Sequence, residues 1–185
     1  MLYNILRGDE MRLKDGQELT IREVLETDAL EILDYMAKIT TESKNLLREP
    51  KEFNMTLEQE ERFIQLTQKS VNAMMLCGLV DDQIVSVVHF GGRDLLRIKH
   101  RASIGMSVLK SYNGIGVGSY MMEAIIRNAK KVGIKKLDLD VRCDNTNAIG
   151  LYKKYGFKQE GIISMGMYVD NKYVDLLVMG KILED

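Results

Sequence analysis

The feature that most constrains the fold is a change of period near residue 72. Upstream, Leu30, Leu33, Met36 and Ile39 recur at helical spacing, and Leu57, Phe63, Ile64 and Leu66 supply a second apolar helix surface. Downstream, Ala73–Val80 and Gln83–Phe90 are strand-length runs rich in Val and Ile, joined by the turn pair Asp81-Asp82. Two helices followed by a hairpin exclude a sheet wound entirely from parallel βαβ units.

The remaining elements extend that pattern. Leu19–Val24 alternates as a first strand, and Asp28 and Glu31 have capping-box spacing for a helix running to about Thr40. Thr41–Asn54, with the single proline Pro50, reads as a loop, and the second helix starts near Thr56. Ala102–Leu109 is a strand containing Gly105, Gly116–Val132 a long amphipathic helix stopped by Gly133, and Lys135–Val141 an alternating strand. A short helix over Asn145–Tyr155 and a last strand pair, Phe157–Tyr168 and Lys172–Ile182 around Asp170-Asn171, complete the order βααβββαβαββ. The expected class is α/β (α+β), a central mixed, mostly antiparallel sheet flanked by helices.

The chain has 185 residues, 45% hydrophobic and 29% charged, which suits one soluble domain able to bury its own core. The apolar runs are far shorter than a membrane span, and Met1–Leu19 lacks the features of a secretory signal. Cys77 and Cys143 offer neither a disulfide framework nor metal-ligand spacing, so a cytoplasmic location and no metal are expected. A net charge of -1 with interleaved signs gives no nucleic-acid footprint.

Two segments carry chemistry. Asn113-Gly114-Ile115-Gly116-Val117-Gly118-Ser119 lies between a strand and a long helix, where free main-chain N–H groups and the helix dipole converge on one point. It reads either as an anion cradle or as a tight turn before a close-packed helix; it lacks the lysine of a P-loop and follows too many strands for a dinucleotide fold. The second is Asn145-Thr146-Asn147-Ala148-Ile149-Gly150-Leu151-Tyr152-Lys153-Lys154-Tyr155-Gly156-Phe157.

Together these segments resemble the GNAT acyl-CoA N-acyltransferase superfamily, which combines a glycine loop with a later Asn-x-x-Ala-x-x-Leu-Tyr-x-x-x-Gly-Phe. The match falls on Asn145, Ala148, Leu151, Tyr152, Gly156 and Phe157. The resemblance implies the GNAT fold with splayed strands over residues 19–185, with 1–18 as an N-terminal extension, and a small-molecule or peptide N-acetyltransferase using acetyl-CoA. It implies that the amides of Asn113, Gly114, Gly116, Val117, Gly118 and Ser119 hold the pyrophosphate, and that Met106, Val108 and Asn145 hold the pantetheine. Tyr152 is implied as the acid that protonates the leaving thiolate, Asp140 as the base, and Glu42 as an acidic group near the acceptor.

On residue pattern alone Tyr152 also reads as packing, and Asp138 with Asp140 as the charged face of a strand. Asn113 and Ile115 replace the polar or basic side chains common in the family, which shifts phosphate binding toward Lys110, Lys153 and Lys154 or leaves those lysines as a solvated face. Gly105 reads either as a bulge opening the wedge or as room for a bulky neighbour. His89 and His100 read as structural. The alternative to an enzyme is an acyl-CoA-binding regulatory module, and pairing of two chains through the last strands is implied by the family. The expected partners are acetyl-CoA and an amine acceptor.

Overall fold

The computed structural model describes residues 8–184. Its centre is one eight-stranded sheet ordered β1-β2-β3-β4-β5-β6-β8-β7. The strands are β1 (Asp9–Arg12), β2 (Glu18–Glu23), β3 (Ala73–Val80), β4 (Gln83–Gly92), β5 (Arg101–Val108), β6 (Lys136–Arg142), β7 (Lys158–Val169) and β8 (Lys172–Ile182). Every pairing is antiparallel except β5 with β6. The helices are α1 (Ala29–Glu42), α2 (Leu57–Lys69), α3 (Val117–Lys131) and α4 (Thr146–Lys154).

The sheet separates two apolar layers, as its alternation requires. One face of the strands, including Leu76, Val88, Phe90, Ile104, Leu137 and Leu139, packs with Met121, Met122 and Ile125 of α3. The other face presents Met75, Cys77, Leu79 and Val87 to Ile32, Tyr35 and Ile39 of α1 and Ile64 of α2. Along β5, Ile104 belongs to the α3 layer, whereas Ser107 faces α1, its Oγ 2.8 Å from the Tyr35 hydroxyl.

Three local readings change. The first expected strand is preceded by another: β1 pairs with β2 from Asp9↔Ile21 to Arg12↔Glu18, so residues 9–12 form a sheet edge. Four residues with no apolar alternation, Asp9-Glu10-Met11-Arg12, gave no strand signal. Residues 1–7 of the expected extension lie outside the described residues. Asp28 makes no side-chain cap on α1. Its carboxylate instead takes a bidentate pair from Arg22 at 2.6 and 3.0 Å and the Leu25 N–H at 2.8 Å, while Glu31 accepts from the Ile84 N–H. Finally, Gly105 is no bulge, because β4 and β5 keep unbroken register from Ser86↔Val108 to Gly92↔Ala102. A Cβ there would lie 2.6 Å from Cε1 of His89, the residue directly opposite, so the glycine admits that ring.

Candidate active site

β5 and β6 pair only over Arg101↔Lys136, Ala102↔Leu137 and Ser103↔Asp138, although both strands continue for several residues. Beyond Ser103 they part. In an antiparallel ladder, successive residues point their main-chain groups alternately toward and away from the partner. Leu109 donates to the Val85 carbonyl, so by alternation Ser107 and Gly105 also face β4, and Met106 and Val108 turn their main-chain groups toward the gap left by β6. These are two of the three residues implied as pantetheine contacts, the third being Asn145.

The gap opens into one cavity of about 1520 Å³, which extends from the glycine loop to the space between α1, α2 and the sheet. That exceeds the roughly 300–1,000 Å³ typical of small-molecule pockets. It has room for a long donor and a second substrate together.

At one end, β5 leads through a single turn over Lys110–Tyr112 into the glycine loop. Gly116 has φ +115°, which L side chains rarely adopt, and it caps α3. Ser119 and Tyr120 donate to the Gly116 carbonyl, while the N–H groups of Gly114, Ile115, Gly116, Val117 and Gly118 have no main-chain partner among the described residues. Five donors without a main-chain partner at the positive end of a 15-residue helix are an arrangement suited to an anion. Asn113, Gly114, Gly116, Gly118 and Ser119 line the cavity. The side chain of Val117 is buried in the α3 layer, so only its main chain serves the loop.

The side-chain cations at this end come partly from elsewhere. Lys154 reaches Ser119 Oγ at 3.3 Å and lines the cavity, whereas Lys110 and Lys153 do not line it. Lys14, in the β1–β2 turn, donates its main-chain N–H to Ile115 and its Nζ to the Gly114 carbonyl at 3.3 Å, and it too lines the cavity. No sequence signal points to Lys14, because its place depends on how the turn of the β1–β2 hairpin at the sheet edge meets the glycine loop.

Tyr152 stands farther along, on α4. Its side chain is 8% exposed and its ring meets Phe157 at a 5.9 Å centroid distance, yet its hydroxyl has no hydrogen-bond partner among the described residues and the residue lines the cavity. Burial makes the phenol a weaker acid than an ordinary tyrosine, so it keeps its proton at neutral pH. Asn145 caps α4, its Oδ1 accepting from the Ala148 N–H at 3.2 Å, and it also borders the cavity.

The acidic candidates separate. On β6, Leu137, Leu139 and Val141 enter the α3 layer, so Asp138 and Asp140 face the α1–α2 side. Asp138 is tied to Arg101 and Lys136, while Asp140 has no partner among the described residues and lines the cavity. Glu42 does not line it; its Oε2 accepts the Lys110 N–H at 2.8 Å and fastens the end of α1 to the loop. His89 lines the cavity on the same face as Asp140, and although its side chain is exposed to the cavity, the protein packed around it lowers its basicity by partial desolvation. Glu60 of α2 lines it as well. Its helical phase was the available signal, since Glu60 lies one turn before buried Ile64 on the stripe that faces the sheet.

A splayed parallel strand pair, with a glycine loop at the wedge and a tyrosine across it, defines an acyltransferase class. The description Acetyltransferase (GNAT) family matches residues 36–157, and the chain belongs to that family. The chain is 29% identical over 108 residues to the L-amino acid N-acetyltransferase AaaT of Escherichia coli, covering 58% of this chain and 67% of that one. It is 33% identical over 67 residues to an N-alpha-acetyltransferase of Sulfurisphaera tokodaii, covering 36% of this chain and 40% of that protein. A GNAT-family acetyltransferase structure from Streptococcus pneumoniae superposes with a TM-score of 0.87 at 29% identity, covering 90% of this chain and 99% of that one. The yncA structure from Salmonella typhimurium, solved with its cofactor acetyl-CoA, shares the fold at a TM-score of 0.80 and 15% identity, over 90% and 95% of the two chains. Among the described residues there is no cluster that would hold a metal ion, and no helix is long and apolar enough to cross a membrane.

Proposed function

We propose that the protein transfers the acetyl group of acetyl-CoA to a primary amine of a small molecule or peptide by direct attack within a ternary complex. The observation that carries this reading is the single cavity joining the unsatisfied glycine-loop amides to the unpartnered Tyr152 hydroxyl. Acetyl-CoA brings a thioester whose carbonyl carbon an amine can attack. The amides of Gly114–Gly118 receive the pyrophosphate, with Lys14 and Lys154 beside them, and the main chain of Met106 and Val108 receives the pantetheine along the wedge.

Nitrogen bonds to the carbonyl carbon, the C–S bond breaks, and the Tyr152 O–H gives its proton to the departing sulfur. The amine proton leaves toward Asp140, directly or through water, with His89 on the same sheet face as the other available acceptor. Glu42 is assigned a structural part by its bond to Lys110. The exposed apolar residues Ile162, Ile163, Met165, Tyr168 and Tyr173 on β7 and β8 support pairing of two copies through this end of the sheet, which sedimentation equilibrium would register as a dimer mass.

A thermal-melt comparison tests the donor. Acetyl-CoA and CoA raise the melting temperature by mass action, and NAD and ATP at equal concentration raise it far less. Equal stabilisation by NAD would remove the assignment. Stabilisation by acetyl-CoA with no thiol release from any amine would favour a binding module over an enzyme.

A further inference from the structure

Glu60 has no use in the scheme above, yet it is the least expected side chain in the cavity wall. It is 4% exposed, and no ion pair or side-chain hydrogen bond reaches its carboxylate among the described residues. Between α1, α2 and the sheet the lining includes the apolar Met36, Phe53, Met55, Phe63, Met75 and Val87, with Thr40, His89, Ser107 and Asp140 among its polar members. The Glu60 oxygens face the cavity, and a carboxylate so largely enclosed without a partner gives up part of its hydration with no protein group in return. Burial accordingly holds its proton more tightly than in an ordinary glutamate.

The cations of the lining do not relieve it. Lys14 and Lys154 are engaged at the glycine loop, Arg142 makes a bidentate pair with Asp144, and Arg48 is exposed. Without its proton, Glu60 is relieved by a cation that arrives with a ligand.

We infer that Glu60 anchors the cationic nitrogen of the acceptor, and that the acceptor is an apolar primary amine of the alkyl or aralkyl type with no carboxylate of its own. The lining residues supply the dispersion surface for the apolar body, and three of them are methionines, whose unbranched side chains adapt to its shape. An amino acid would bring a second carboxylate toward Glu60, and of the lining cations Arg142 is already paired with Asp144 and Arg48 is exposed. The identity of this ligand as the acceptor rests on the acetyltransferase reading; the site itself does not.

The test is calorimetric titration of the 185-residue chain saturated with CoA, so that no turnover intervenes, using phenethylamine, phenylalanine and 3-phenylpropionate as probes. Phenethylamine is expected to bind about tenfold more tightly than phenylalanine, and 3-phenylpropionate is expected not to bind. Glu60→Gln is expected to weaken phenethylamine about tenfold and to leave the CoA affinity unchanged, while Glu60→Asp keeps most of the preference. Phenylalanine binding as tightly as phenethylamine, or unchanged phenethylamine binding by Glu60→Gln, overturns the inference.

Should Glu60→Gln not fold, Met36→Lys places a cation in the same chamber and is expected to abolish phenethylamine binding. Undiminished binding there overturns the inference equally. Failure of CoA to bind removes the acyltransferase reading instead; phenethylamine is then titrated into the protein alone, where the same loss in Glu60→Gln sustains the carboxylate site and its absence ends it.

Discussion

Gly116→Ala separates the fold of the glycine loop from its function, because Gly133 provides a matched control. Both residues have positive φ, +115° and +86°. Gly116 begins α3, and Gly133 ends it in a Schellman turn, with Ile134 N–H on the Ala129 carbonyl and Gly133 N–H on that of Lys130. A Cβ at Gly133 meets nothing within 4 Å, and one at Gly116 meets only the Tyr120 ring at 3.6 Å, so neither substitution clashes. The cost in each case is a left-handed backbone for an L residue, about 1–2 kcal/mol, partly offset by the lower chain entropy of unfolded alanine. A net loss of about 1 kcal/mol lowers the melting temperature by roughly 2–4 °C in a chain of this size.

Only Gly116 adjoins the unsatisfied amides. A methyl group beside them that displaces one charge-assisted bond to phosphate costs about 1.5–3 kcal/mol, or roughly 10- to 100-fold in Kd. Titration of CoA into both folded variants decides the matter. Equal loss of stability with a large loss of CoA affinity confined to Gly116→Ala is expected. Unchanged affinity in Gly116→Ala, or an equal loss in Gly133→Ala, refutes the assignment of the loop as the phosphate seat.

Tyr152→Phe keeps the ring against Phe157 and removes only the unpartnered hydroxyl, so the maximal rate should fall about 10- to 1,000-fold with CoA affinity within a few fold. Steady-state kinetics with the same variant's melting curve distinguish this from a packing role, in which the ring is kept, no hydrogen bond is lost, and both rate and stability stay near the parent values. Lys14→Ala should weaken CoA several-fold at low salt, and the difference should shrink in titrations at high ionic strength as the remaining charges are screened. Asp140→Asn should lose rate mainly at the lower end of a pH–rate profile, where the amine arrives protonated, and approach the parent rate at high pH. The raised proton affinity of Glu60 means that the native state binds this proton more strongly than the unfolded chain does. Stability from this group is therefore full below the ordinary glutamate range and lost as pH rises through the raised value. Glu60→Gln should raise the melting temperature of the ligand-free protein near neutral pH, with the gain vanishing as the buffer is taken into the ordinary glutamate range.

Most of the fold was legible because its signals are local. The Asp81-Asp82 and Asp170-Asn171 turns have positive φ at both central residues, the geometry tight hairpins demand, and each sits between apolar runs of strand length. The Thr56–Gln59 capping box starts α2 as the residue types suggest. Asp28 misled because a side chain suited to capping is equally suited to a buried pair with Arg22, six residues away, and spacing does not choose between them. The loop and Asn145–Phe157 stand out through their own residue types, and both border the cavity. Glu60, His89 and Lys14 did not stand out, since they gain meaning only when α2, β4 and the β1–β2 hairpin meet around one space.

The most direct test of the central claim varies acetyl-CoA and an acceptor amine together and follows free thiol and unreacted amine at once. Acetyl transfer by direct attack predicts intersecting double-reciprocal lines, one thiol released for each amine consumed, and no acetylated protein when acetyl-CoA is supplied alone. Parallel lines with an acetyl group retained on the protein would contradict it.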